Sequence, residues 1–109
     1  MRVPDVEREI RRCAMAGSLV YTKHAIQRVG ERGIEKPRIT EALVYGKVLE
    51  YQVDDGMYKL LFQEHTTSAP EFYVVAKYTD TAVVITVCLS MDEFWDIEAG
   101  TMTRKKKGT

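Results

Sequence analysis

An imidazole, two guanidiniums and a carboxylate recur within one short stretch of this chain, at His24, Arg28, Glu31 and Arg32. On a helix turning 100° per residue they fall within one arc of about 100°, while Ala25, Ile26 and Val29 face the other way. Arg28 and Arg32 stand four apart, where like charges repel by about 0.2–0.5 kcal/mol. An anionic ligand, or Glu31 between them, offsets that cost. These residue types suit cleavage of RNA by its own 2′-hydroxyl, which needs a base, an acid for the leaving oxygen and cations for the charge on phosphorus. His24, near a helix N-terminus, reads as a neutral imidazole that accepts a proton, and Glu31 as either a base or the partner that orients an arginine. Arg28 and Arg32 have planar donors that fit phosphate, with the ammonium of Lys23 beside them. The plain alternative is a solvated helix face with an Arg28–Glu31 pair.

Three helices and a run of strands must position this face. Pro4 fits the first turn of a helix whose apolar stripe is Val6, Ile10, Cys13 and Ala14, and Gly17 stops it. Arg8, Arg11 and Arg12 are spaced to pair with Asp5, Glu7 and Glu9. Leu19-Val20-Tyr21 reads as a brief strand or extended lead-in, and Thr22 as the cap of a second helix that ends at Gly33. Ile34 packs ahead of a third helix starting near Pro37, which buries Ile39, Ala42 and Leu43 and stops at Gly46. From Lys47 the period changes to two. Val48–Val53 and Met57–Glu64 form a hairpin about Asp54-Asp55-Gly56, followed by strands over Phe72–Tyr78 and Ala82–Leu89. The expectation is an α+β two-layer domain over residues 1–97. Its N-terminal helices pack on one face of a four-stranded or slightly larger antiparallel meander. Residues 98–109 read as a basic, disordered tail.

The pattern His24-Ala25-x-x-Arg28-x-x-Glu31-Arg32-Gly33-Ile34, followed by a second helix and strands, resembles a family of small bacterial proteins classed as a domain of unknown function. That family is in turn similar to the RelE/ParE/BrnT/MqsR type of toxin from toxin–antitoxin systems. The resemblance runs from about Tyr21 to Trp95. It implies a RelE-like fold, a metal-independent endoribonuclease or ribosome-directed activity, no cofactor, a cytoplasmic location and a small antitoxin protein as partner. Toxins of that type place their working residues on the sheet and its C-terminal end, where this chain offers Lys59, Lys77 and Tyr51, Tyr58, Tyr73 and Tyr78. Where such proteins often carry a tyrosine and then a proline, Cys88 and Met91 stand here.

Composition sets the bounds. At 109 residues, with 45% hydrophobic and 29% charged residues, the chain suits one soluble domain with its own core. No apolar run approaches the length of a membrane span. Cys13 and Cys88 lack metal-ligand spacing and read as packed, reduced thiols, and the two histidines have no ligand partner at metal spacing. The net charge is zero but uneven: +3 over residues 1–46, −7 over 47–103 and +4 over the tail. A zero total argues against a large non-specific nucleic-acid footprint and leaves room for a local basic face. Two functions therefore stand side by side. One is an RNA- or ribosome-directed toxin domain using the His/Arg/Glu helix face. The other is a non-catalytic module that holds a protein partner by a strand edge or by the arginines. The oligomeric state is left open.

Overall fold

In the computed structural model, which describes residues 1–106, helix α1 spans Val3–Met15 and buries Val6, Ile10, Cys13 and Ala14. This is the stripe that the spacing predicts. Arg8, Arg11 and Arg12 pair with Asp5, Glu7 and Glu9 at 2.9, 3.0 and 2.7 Å. Arg11 does more than pair locally. Its guanidinium donates to the carbonyls of Leu43, Val44 and Gly46 at 3.1, 2.8 and 2.8 Å, at the C-terminal end of helix α3 (Lys36–Tyr45). A helix end leaves its last carbonyls without partners, and a fork-shaped donor satisfies three of them at once. The same guanidinium lies 5.2 Å from the Phe62 ring centroid, so α1, α3 and the sheet are joined through one side chain.

The sheet is built from β1 (Leu19–Tyr21), β2 (Val48–Asp54), β3 (Met57–Gln63), β4 (Phe72–Tyr78) and β5 (Ala82–Leu89). Strands β2 to β5 form the expected antiparallel meander. Asp55 and Gly56 both take positive φ, 52° and 73°, which is the primed two-residue turn whose twist matches the flanking strands. The brief Leu19–Tyr21 segment adds a fifth strand, parallel to β5, giving the order β1-β5-β4-β3-β2. The sheet is therefore mixed. Three residues pairing with a strand far along the chain leave no periodic signature to count.

Where β1 ends, helix α2 (Lys23–Arg32) takes over the edge of β5. The Thr22 amide donates to Val84 O at 3.1 Å, its hydroxyl donates to Ile85 O at 2.8 Å, and Arg32 donates to Val87 O. The Thr22 oxygen also accepts from the Ala25 amide at 3.0 Å, as the capping signal predicts, and Gly33 closes the helix with φ 61°. An edge strand's free carbonyls are thus covered by a helix instead of a sixth strand.

The two faces of the sheet are covered unequally. Helices α1 and α3 seal one face over Leu60, Phe62, Phe72, Val74, Ala76 and Val84, all at most 1% exposed. On the opposite face a hairpin of β6 (Trp95–Glu98) and β7 (Thr101–Arg104) buries Trp95 and Met102 against Leu61 and Val75. The buried Gln63 amide fastens it, donating to Gly100 O at 2.8 Å and accepting from the Met102 amide at 3.0 Å. A disordered tail was expected from residue 98. Instead Thr101–Arg104 is a strand, because Met102 finds an apolar seat and Arg104 meets Glu50 in a two-pronged pair at 2.9 and 2.7 Å. Lys107, the last of the basic run, lies outside the described residues. Cys13 is buried and Cys88 half-buried, both as free thiols. Among the described residues no helix is long and apolar enough to cross a membrane.

Candidate functional site

Because α2 lies along the edge of β5, only a narrow arc of it is covered. That arc centres on Ala25, which is fully buried, and is flanked by partly buried Val29 on one side and Arg32 and Arg28 on the other. Ile26, expected on the buried side, sits about 100° away from Ala25 and is 54% exposed. Arg32, expected in solvent with the polar set, turns instead toward the β5 backbone. Lys23, His24, Gln27 and Glu31 face solvent.

The polar set is organised about one carboxylate. Glu31 accepts from Gln27 and from Arg28, each at 2.8 Å. The Gln27 hydrogen bond first, and the Arg28 bond and charge after it, hold the Glu31 carboxyl below its usual range. Such a group is anionic at neutral pH and a weaker proton acceptor than a free glutamate. The Arg28–Glu31 pair is the one the plain reading of the helix anticipated. His24 is exposed and has no side-chain partner among the described residues, so nothing there selects its tautomer.

Arg32 also lines a cleft of about 430 Å³, shared with Tyr73, Cys88, Leu89, Met91, Phe94, Trp95 and Arg104. The Arg104 guanidinium lies 4.4 Å from the Trp95 ring centroid, and the Tyr73 ring centroid lies 5.2 Å from that of Trp95. Burial, and then the neighbouring Cys88, push the Tyr73 phenol up to about 12. At neutral pH Tyr73 is therefore a hydrogen-bond donor that stays protonated. Leu89, Met91 and Phe94 are 46%, 49% and 51% exposed, so the mouth of the cleft is apolar while its walls carry two guanidiniums. A larger depression of about 750 Å³ runs along α1, but its arginines are already paired along that helix and no polar groups converge there.

The sheet residues singled out from the sequence divide between the two faces. Tyr73, Lys77 and Lys59 share the face that carries the hairpin, with Lys59 and Lys77 directly opposite each other. Asp54 neutralises Lys59 at 2.6 Å, whereas Lys77 has no ion pair among the described residues. Tyr51, Tyr58 and Tyr78 lie on the helix side instead, Tyr51 edge-on to Tyr58 at 5.6 Å. Tyr58 and Tyr78 pack against the core while Tyr51 stays exposed, and none of the three lines the cleft. The described residues contain no group of histidine, cysteine and carboxylate side chains able to hold a metal ion.

Residues 21–89 match the model of a domain of unknown function, DUF4258. The chain belongs to that family. No curated protein and no solved structure matches it. The DUF4258 segment holds the whole of α2 and the Tyr73 and Cys88 wall of the cleft. Trp95 and Arg104 come from the hairpin beyond it. Sequence reasoning missed Arg104 as a wall of this cleft because it opens a basic run. The signal that marks it is the alternation of Trp95 and Ile97, then Thr101 and Thr103, about Gly100, which is a second short hairpin.

Proposed function

We propose that this DUF4258 chain is an RNA-directed, RelE-like toxin domain of the cytoplasm, bound in its resting state by a small antitoxin protein. The observation that carries the reading is the joining, at Arg32, of the exposed α2 face to a cleft that interleaves guanidiniums with aromatic rings. Single-stranded RNA asks for that combination. Cations follow the phosphates, and ring faces stack on unpaired bases at about 1–3 kcal/mol per base. Lys23 and Arg28 would meet phosphate on the open helix face, and Arg32 and Arg104 would do so at the cleft. Glu31, held as an anion, suits orienting Arg28 better than taking a proton. If the RNA is cut, His24 is the proton-transfer group and the reaction needs no metal.

The test is binding of a fluorescent single-stranded RNA at low and high salt, beside growth after induced expression without an antitoxin. Arg28→Ala and Arg104→Ala should weaken binding and flatten its salt dependence, and each should relieve any growth arrest. His24→Ala should spare binding and abolish cleavage. Wild-type protein that binds no RNA and leaves growth and ribosomes unaffected would end this reading. A second reading, a non-catalytic protein-binding module, is favoured by one specific observation: Arg28 and Arg32 already have partners in Glu31 and Val87. Under that reading Arg28→Glu abolishes capture of the partner and His24→Ala leaves it intact.

A further inference from the structure

Trp95 and Arg104 line two depressions at once. One is the cleft described above, with Arg32, Tyr73 and Cys88. The other, of about 340 Å³, is lined by Lys47, Glu50 and β7. Arg104 reaches toward this second one, where its Nε and Nη2 donate to the two carboxylate oxygens of Glu50 at 2.9 and 2.7 Å. A guanidinium holds a phosphate by the same two-pronged bond, so Glu50 occupies donors that an RNA phosphate needs. The Arg104 guanidinium also lies over the Trp95 ring, which is only 3% exposed, so no base stacks on that ring while its cover stays in place. At this wall of the cleft, the cation is taken by a carboxylate and the ring by the cation.

We propose that Glu50 is an internal competitor for RNA: a phosphate displaces it from Arg104, and the guanidinium, following the phosphate, uncovers Trp95 for a base. This regulation rests on the RNA reading above and concerns the same cleft. Charge is the reason that the carboxylate leaves. A phosphate that reached the remaining N–H groups of Arg104 with Glu50 still bound would set two anions on one cation, and at that range they repel. The exchange is also easy. The pair is open to solvent, with the Arg104 and Glu50 side chains 45% and 27% exposed, and such pairs are weak. The displaced carboxylate stays in a depression that also holds Lys47, a cation with no ion pair among the described residues. Arg32 is different. It donates to the Val87 carbonyl and has no ion pair among the described residues, so a phosphate joins it without displacing an anion. The cleft thus has one open cation, Arg32, and one guarded cation, Arg104.

The test compares the wild-type chain with Glu50→Gln for binding of a fluorescent single-stranded RNA at one salt concentration. Glu50→Gln should tighten binding by about three- to fivefold, the range that an exposed ion pair can hold back. Removing any negative charge favours RNA somewhat. Glu98→Gln, at an exposed position of β6, sets that baseline and should gain less. In an Arg104→Ala background the gain from Glu50→Gln should fall to the same baseline. A second arm needs no RNA: inorganic pyrophosphate is titrated while the emission of Trp95, the single tryptophan, is followed. Its midpoint should come at a lower concentration in Glu50→Gln than in the wild type. Melting curves check that each variant is folded. A gain no larger than that of Glu98→Gln, or one retained without Arg104, would overturn the exchange and leave RNA binding standing. Weaker binding by Glu50→Gln would overturn it too, and make Glu50 a support that aims Arg104. If neither protein binds RNA, the pyrophosphate arm decides: a lower midpoint in the variant upholds the exchange and ends the RNA reading, and equal midpoints end both.

Discussion

Deleting residues 100–109 removes β7 and so uncovers the second face of the sheet. Met102 is 2% exposed, and burying such a side chain is worth about 1.5–3 kcal/mol. Gln63 loses its bonds to Gly100 O and the Met102 amide, each worth about 0.5–1.5 kcal/mol. The Arg104–Glu50 pair, with its arginine side chain 45% exposed, adds at most about 1 kcal/mol. Together the loss is about 2.5–7 kcal/mol, a large part of the roughly 5–15 kcal/mol that holds a domain folded. At about 4 °C per kcal/mol the melting temperature should fall by at least about 10 °C. The chain holds a single tryptophan, Trp95, so its emission reports the same event without interference. Loss of Met102 and Arg104 should shift that emission to the red while far-ultraviolet circular dichroism keeps its helical signal. A melting temperature within about 2 °C of the full chain would refute the reasoning, because the hairpin would then cover the sheet without stabilising it.

Gly46→Ala should destabilise by about 3 kcal/mol or more, since a Cβ there would stand 2.1 Å from Gln63 O and 2.4 Å from Ala42 O, and backbone on both sides gives no room; a urea midpoint near wild type would show that the α3–β2 junction shifts freely. Gly56→Val should cost about 1 kcal/mol or more, because a β-branched residue tolerates φ 73° poorly, and chemical denaturation measures it. Tyr73 has its folded-state pKa raised above 10, to about 12, so its contribution is whole below pH 10 and is lost as pH rises from 10 toward 12. The denaturation midpoint should therefore drop across that window, with Tyr21 pulling the same way, and Tyr73→Phe should lessen the drop; an unchanged alkaline profile in the variant would assign the loss elsewhere. Arg11→Ala should lower stability more than Arg8→Ala in parallel melts, because Arg11 also holds the carbonyls of Leu43, Val44 and Gly46, whereas Arg8 pairs with Asp5 at the exposed surface.

What the sequence determines by itself is whatever neighbours along the chain decide. The stripe Val6, Ile10, Cys13 and Ala14, the Thr22 cap, the left-handed stop at Gly33 and the Asp55-Gly56 turn are set by a few adjacent residues, and the structure reproduces each. The Arg28–Glu31 pair belongs with them, three apart on one helix. The tertiary structure decides where two distant segments meet. Which arc of α2 is covered depends on its seat along the β5 edge, so Ile26 stays in water and Arg32 turns inward to Val87. The three residues of β1 acquire their meaning from Ala82–Val84, and β7 its meaning from Leu61, Gln63 and Glu50. The cleft has the same origin, since its guanidiniums come from residues 32 and 104. Pattern along the chain reports period and punctuation, whereas a long-range contact is set by shape and burial, which no local window contains.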